Sequence, residues 1–121
     1  MATDDIVKNL AALRLAVGAG SWLAPGLAAK VFGLDLENNP QAPYLARLFG
    51  VRDIALGLGT LQSTGPERRR WLMLGVACDA ADALAGVLGT REGYLSRVSG
   101  ALVTGTAVAA TAMGAVALSG E

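Results

Sequence analysis

The sequence predicts an all-α fold: one domain over residues 1–121, built as a left-handed, four-helix, up-down transmembrane bundle. Three observations predict it. Apolar residues make up 53% of the chain and charged residues only 17%, with a mean hydropathy of +0.46. A water-facing domain usually carries about 25% charged residues, so too few are present to dress a wetted surface. Four apolar segments of roughly 20 residues, the length a bilayer span requires, follow one another along the chain. In each segment the small and polar residues recur at helical spacing on one face. The 16 glycines, few aromatics and scarce β-branched runs suit close-packed helices in lipid more than strands.

The first segment covers residues 9 to 29, "NLAALRLAVGAGSWLAPGLAA". Thr3, Asp4 or Asp5 caps its N-terminal side, and Pro25-Gly26 ends or kinks it. The following "AAKVFGL" is placed along the membrane interface before the polar loop "DLENNPQAP". The second segment covers 42 to 62, "APYLARLFGVRDIALGLGTLQ", and "STGPERRR" links it tightly to the third, 71 to 90, "WLMLGVACDAADALAGVLGT". "REGYLSR" leads to the fourth, 98 to 119, which carries no charge. Short connections make consecutive helices antiparallel neighbours. Trp22, Tyr44, Trp71 and Tyr94 fall near segment ends, where an aromatic belt belongs.

A ruler of three- and four-residue steps picks out one stripe per segment. The first holds Arg14, Gly18, Ser21 and Pro25, and the second Gly50, Asp53 and Gly57. The third holds Gly75, Asp79, Asp82 and Gly86, and the fourth Gly100, Thr104, Ala107, Thr111 and Gly114. This inverts the amphipathic helix of a water-soluble protein, whose apolar stripe faces inward. Lipid supplies no hydrophobic drive between helices, so close contact and polar pairing must join them. The near-seven-residue repeat predicts crossing angles of about +20°, hence the left hand.

The stripes place Arg14, Asp53, Asp79 and Asp82 inside, near the middle of their segments, and aim Arg52 at a neighbouring helix. A charge at the centre of a bilayer costs about 2.5–3.5 kcal/mol on insertion scales, so these five must pair or be hydrated. The expected arrangement shares Arg14 and Arg52 among the three aspartates, with Thr104 and Thr111 adding hydroxyls. One carboxylate is then left over: it is protonated, or Arg47 reaches in to meet it.

The pattern "LRLAVGAGSWLAP", "FGLD" and "YLARLFGVRDIALGLG", followed by two aspartates in the third segment, resembles small four-helix membrane proteins of actinobacteria, a family of uncharacterised function. The run from Arg47 to Gly57 is the most specific part, and the likeness covers most of the chain. It implies four spans and supplies no catalytic residues.

Composition also excludes. No histidine is present, which removes the usual general base and commonest metal ligand. Cys78 is alone, so neither a disulfide framework nor a cysteine metal site is expected. No cofactor is expected, and net charge zero, with Arg68–Arg69–Arg70 as the single basic run, argues against nucleic acid. That triplet marks a cytoplasmic side by the positive-inside rule, placing both termini in the cytoplasm of a multi-pass cell-membrane protein. "MATDDIVKNL" lacks the basic opening of a secretory signal. The expected partners are the bilayer and either further copies of the chain or a larger membrane complex. Three functional classes fit: a structural or accessory membrane protein held by an Arg–Asp lock, a binder or acid–base enzyme for a lipophilic molecule, and a proton or ion conductor. A water-soluble helical bundle hiding the same charges is the fallback.

Overall fold

In a computed structural model, residues 3–120 are described, and they form five α-helices with no strand among them. The helices are α1 (Thr3–Leu23), α2 (Pro25–Val31), α3 (Ala42–Gln62), α4 (Gly65–Glu92) and α5 (Arg97–Ser119). The local causes are plain. Pro25 cannot donate to the α1 ladder and forces Ala24 out of the helical region, to φ −132° and ψ 64°. The chain therefore bends by 118° between α1 and α2. Gly93 ends α4 in the left-handed conformation at φ +87°, returning its N–H to the Gly89 carbonyl, where a side chain would be strained. The Ser96 hydroxyl caps α5 by accepting from the Ser99 N–H.

Two of these boundaries differ from the sequence reading. α1 starts at Thr3, one and a half turns before the apolar segment. α4 starts at Gly65, so most of the expected linker is helix and Arg68–Arg70 lie in its first turns. Pro66 is tolerated there because the first helical turn has no intrahelical partner for its missing N–H.

α1 packs most extensively on α3, and α4 on α5; α1–α5 and α3–α4 contacts complete the ring, and α2 lies against α3. Glycines set the close approaches. A Cβ on Gly18 would stand 2.6 Å from the Gly50 carbonyl oxygen, and a Cβ on Gly50 would stand 2.6 Å from that of Gly18. Gly57 faces Ala11 and Leu15, so α1 and α3 run antiparallel. Val76 against Gly114, Thr104 against Gly86 and Thr90 against Gly100 make α4 and α5 antiparallel in the same way. Trp71, expected in an exposed belt, instead lays its ring over Gly59 between α3 and α4, because glycine leaves room for it there. Trp22, Tyr44 and Tyr94 are exposed.

Burial is inverted relative to a water-soluble fold. Buried positions are dominated by the stripe residues Arg14, Gly18, Ser21, Gly50, Asp53, Gly57, Gly75, Asp79, Gly86, Gly100, Ala107 and Gly114. The large apolar side chains point out, among them Leu13, Leu48, Val51, Leu74, Leu84 and Val108. The buried apolar cluster is small: Val7, Leu10, Leu72 and Ala117, at the end where α1 and α4 begin and α5 finishes. The accessible surface is 7144 Å², against about 6,100 Å² expected for a water-soluble monomer of this mass.

By length and hydropathy, α4 and α5 are apolar enough to cross a membrane, yet only 28% and 17% of their most apolar stretches are buried within the chain. α1 joins them only together with α2 across the bend. α3, read from sequence as a span, does not qualify on composition, because Arg47, Arg52 and Asp53 fall in any stretch of it long enough to span.

Candidate functional site

Arg14 is the twelfth of the 21 residues of α1, Asp53 the twelfth of the 21 of α3, and Asp79 the fifteenth of the 28 of α4. All three therefore sit at mid-height, and the stripe rule turns them to the same interior. They are 6%, 5% and 4% exposed. Other charged residues lie towards the two ends, apart from Arg52 and Asp82 beside this cluster.

The pairing is specific. The Arg14 guanidinium donates through Nη1 and Nη2 to Asp79 Oδ1 and Oδ2 at 3.1 and 2.5 Å, a two-pronged bond across the ring from α1 to α4. Gly75, one turn from Asp79, makes the space: a Cβ there would stand 2.6 Å from Arg14 Nη2. Arg52 donates in the same forked way to Asp82 at 3.0 and 2.6 Å, joining α3 to α4. Its guanidinium lies over the Phe49 ring, 4.8 Å from the centroid. Planar forks of this kind suit arginine and not lysine.

Asp53 is the carboxylate left over. Its Oδ1 lies 3.7 Å from Arg14 Nη1 and 3.6 Å from Arg52 Nη2, between the two guanidinium groups. Those distances give attraction without hydrogen bonds, and Asp53 Oδ1 and Arg52 Nε are buried with no hydrogen-bond partner among the described residues. Two cations against three carboxylates leave one negative charge if all are ionised, and Asp53 is where a proton or a hydrogen-bond donor would be accommodated.

Three expectations about this cluster need correction. Arg47 does not reach in: its Nε donates to the Trp22 carbonyl at 3.1 Å, and its guanidinium lies over the Trp22 ring. It sits one and a half turns from Arg52, at the broken end of α1, where unsatisfied helix carbonyls attract a cation. Thr111 bonds its own helix, donating to the Ala107 carbonyl at 2.7 Å. Thr104 seats its hydroxyl against Gly86. Both threonines are on the inward face of α5, yet neither hydrogen-bonds an aspartate among the described residues, and the Thr111 hydroxyl turns to the carbonyl one turn back, as helical hydroxyls commonly do.

The arginine triplet has duties that sequence reasoning missed. Arg68 donates to Asp4 at 3.0 Å, tying the start of α4 to the start of α1, and Lys8 meets the same carboxylate at 3.1 Å. Those two bonded cations, Lys8 foremost, hold the Asp4 carboxyl below its ordinary value. Arg69 donates to the Leu118 carbonyl at 3.2 Å, capping the C-terminal end of α5. At the other end, buried Ser99 donates to the Phe32 carbonyl at 2.7 Å and fastens the α2 turn to α5.

Two surface hollows lie away from the ion pairs. One, of about 350 Å³, is an apolar groove between α1 and α5 lined by Ile6, Asn9, Ala112, Met113 and Val116. The other, of about 160 Å³, lies between the Asp35 loop and Ser96. Among the described residues no group of three or more acidic, cysteine or histidine side chains gathers to hold a metal. Compared with family models, curated proteins and solved structures, the chain matches none of them.

Proposed function

We propose that this chain is a small integral membrane protein of structural or accessory type. In this reading the four long helices cross the bilayer as a left-handed up-down bundle with both termini cytoplasmic. The Arg14–Asp79 and Arg52–Asp82 pairs lock them at mid-depth. The protein works by self-association or as a subunit of a larger membrane complex, and the four-helix actinobacterial proteins are its proposed kin.

The supporting observation is the inverted burial: ion pairs and glycines inside, leucines and valines outside. At about 1.5 Å per residue, helices of 21 to 28 residues measure roughly 32 to 42 Å, enough for a hydrocarbon core of about 30 Å. α3 then spans despite its charges, because Arg52 and Asp53 are met by side chains of α1 and α4. The test is extraction of membranes from cells expressing the chain, followed by native mass spectrometry in mild detergent. Retention through alkaline carbonate and release by detergent supports the reading; recovery in the aqueous fraction refutes it. A strict monomer with no co-purifying partner removes the assembly role.

The buried, unbonded Asp53 Oδ1 favours a second reading, in which the aspartates serve as acid–base or binding groups toward a lipophilic small molecule. A Michaelis-type substrate would need space beside Asp53. Loss of ligand binding or turnover in Asp53→Asn, with the fold retained, supports this reading, and an unchanged response ends it.

A further inference from the structure

The two ion pairs differ in one respect: Arg14–Asp79 is sealed, whereas the Arg52 and Asp82 side chains remain 32% and 35% exposed on the outer face of α3 and α4. Arg52 is the eleventh of the 21 residues of α3, about 15 Å from either end. If the helices span, this half-open pair faces the middle of the acyl chains, where no lipid group hydrates it and charges are expensive. Small residues flank the pair on one side, and the exposed Leu48 lies one turn away on the other. One turn along the helix from Asp82 are Cys78 and Ala85, and one turn along from Arg52 is Ala55, all small. Small residues let helix backbones approach closely in lipid. α3 and α4 touch each other less extensively than α1 touches α3 or α4 touches α5, as do α1 and α5, but the α3–α4 seam carries the half-open ion pair.

We infer that the α3–α4 face is the contact surface between two copies of this chain, with the exposed edges of Arg52 and Asp82 meeting Asp82 and Arg52 of the partner subunit about a two-fold axis. Charge complementarity selects a second copy over an unrelated partner. The patch carries one cation and one anion side by side, and a two-fold rotation reverses their order. The patch is therefore its own electrostatic complement, as an isologous interface requires. Pairing closes both charges off from acyl chains and doubles the salt bridges at that depth. This rests on the membrane-spanning, self-associating reading above.

The test is cysteine cross-linking of the full chain in native membranes, with native mass spectrometry in mild detergent alongside. Ala85→Cys is placed in a Cys78→Ala background to probe the α3–α4 face. Ala112→Cys in the same background probes the α1–α5 groove on the opposite side of the ring. The expected result is an oxidative dimer from the Ala85→Cys protein and none from the Ala112→Cys protein. Replacing the pair with apolar residues, Arg52→Leu with Asp82→Leu, is expected to lower the dimer fraction roughly tenfold, the scale of one or two lost interhelical polar contacts. A dimer that cross-links through Ala112→Cys but not Ala85→Cys overturns the surface while leaving self-association standing. A monomer that cross-links at neither position overturns both. The cysteine variants keep the ion pair intact, so this outcome does not depend on the double variant folding.

Discussion

Removing Asp79 while keeping Arg14 is the sharpest perturbation of the interior. In Asp79→Leu the Arg14 guanidinium, 6% exposed, loses two hydrogen bonds of 3.1 and 2.5 Å and keeps Asp53 Oδ1 at 3.7 Å. Breaking a buried pair by deleting one partner costs about 3–5 kcal/mol, because the remaining charge stays buried. Asp53 moves in to meet Arg14, which places the expected loss at the low end, about 3 kcal/mol, or roughly a hundredfold in the unfolding equilibrium. The double variant Arg14→Met with Asp79→Leu removes both charges and fills the site with apolar atoms. Its expected stability lies within about 1 kcal/mol of the native chain, so adding Arg14→Met to Asp79→Leu is expected to recover about 2 kcal/mol or more. The assay is reversible unfolding in mixed micelles of increasing SDS fraction, read by the fluorescence of Trp71, whose ring is packed on Gly59. Equal losses in the single and double variants would refute the reasoning, since they would mean that packing, and not the unpaired charge, sets the cost.

Other outcomes follow from the same geometry. Gly50→Ala drives a methyl to 2.6 Å from a backbone oxygen on α1 and is expected to destabilise by about 2 kcal/mol or more, whereas Gly105→Ala, which meets nothing within 4 Å, is expected to be neutral or up to about 1 kcal/mol stabilising in the same unfolding assay. Gly75→Ala meets the movable end of Arg14 instead of backbone, so its cost is expected to fall between these two, and combining it with Arg14→Met should abolish the cost. Ser99→Ala leaves the Phe32 carbonyl without its donor and is expected to cost about 1–2 kcal/mol, with faster amide exchange at the α2 turn by hydrogen-exchange mass spectrometry. Because the folded Asp4 carboxyl is held below its ordinary value, the stability its pairs contribute is present above about pH 4 and lost as pH falls further; the native chain and Asp4→Asn should therefore differ at neutral pH and converge in acid, and the difference should shrink in high salt.

Much of this arrangement was legible in the residues. The helical period is fixed by backbone hydrogen bonding, so steps of three and four residues placed Arg14, Gly18, Asp53, Gly57, Asp79 and Gly86 on inward faces without reference to any other helix. Proline at 25 and glycine at 93 marked breaks because each constrains the backbone locally. The partners of the charges were not legible. A turn of about 100° between neighbouring helix positions aims Arg52 away from Asp53 at another helix without fixing which residue it meets; it hydrogen-bonds Asp82 on α4 and keeps Asp53 only at 3.6 Å. Likewise, spacing put Thr104 and Thr111 on the correct face, but the distance from α5 to the aspartates depends on how the helices are ordered around the ring. Arg47, Arg68 and Arg69 found helix ends and a carboxylate that lie far away along the chain.

The sequence by itself determined the helical segments, their inward stripes and the excess of apolar surface facing out, because composition and a fixed backbone period are local properties. Tertiary structure alone decided that Arg14 takes Asp79 across the ring, that Arg52 takes Asp82 at a half-open edge, and that Asp53 remains between two cations without a hydrogen bond. Those outcomes turn on distances of a few ångströms between separate helices. Such distances are set by where glycines let backbones touch and by how far each helix is rotated about its axis.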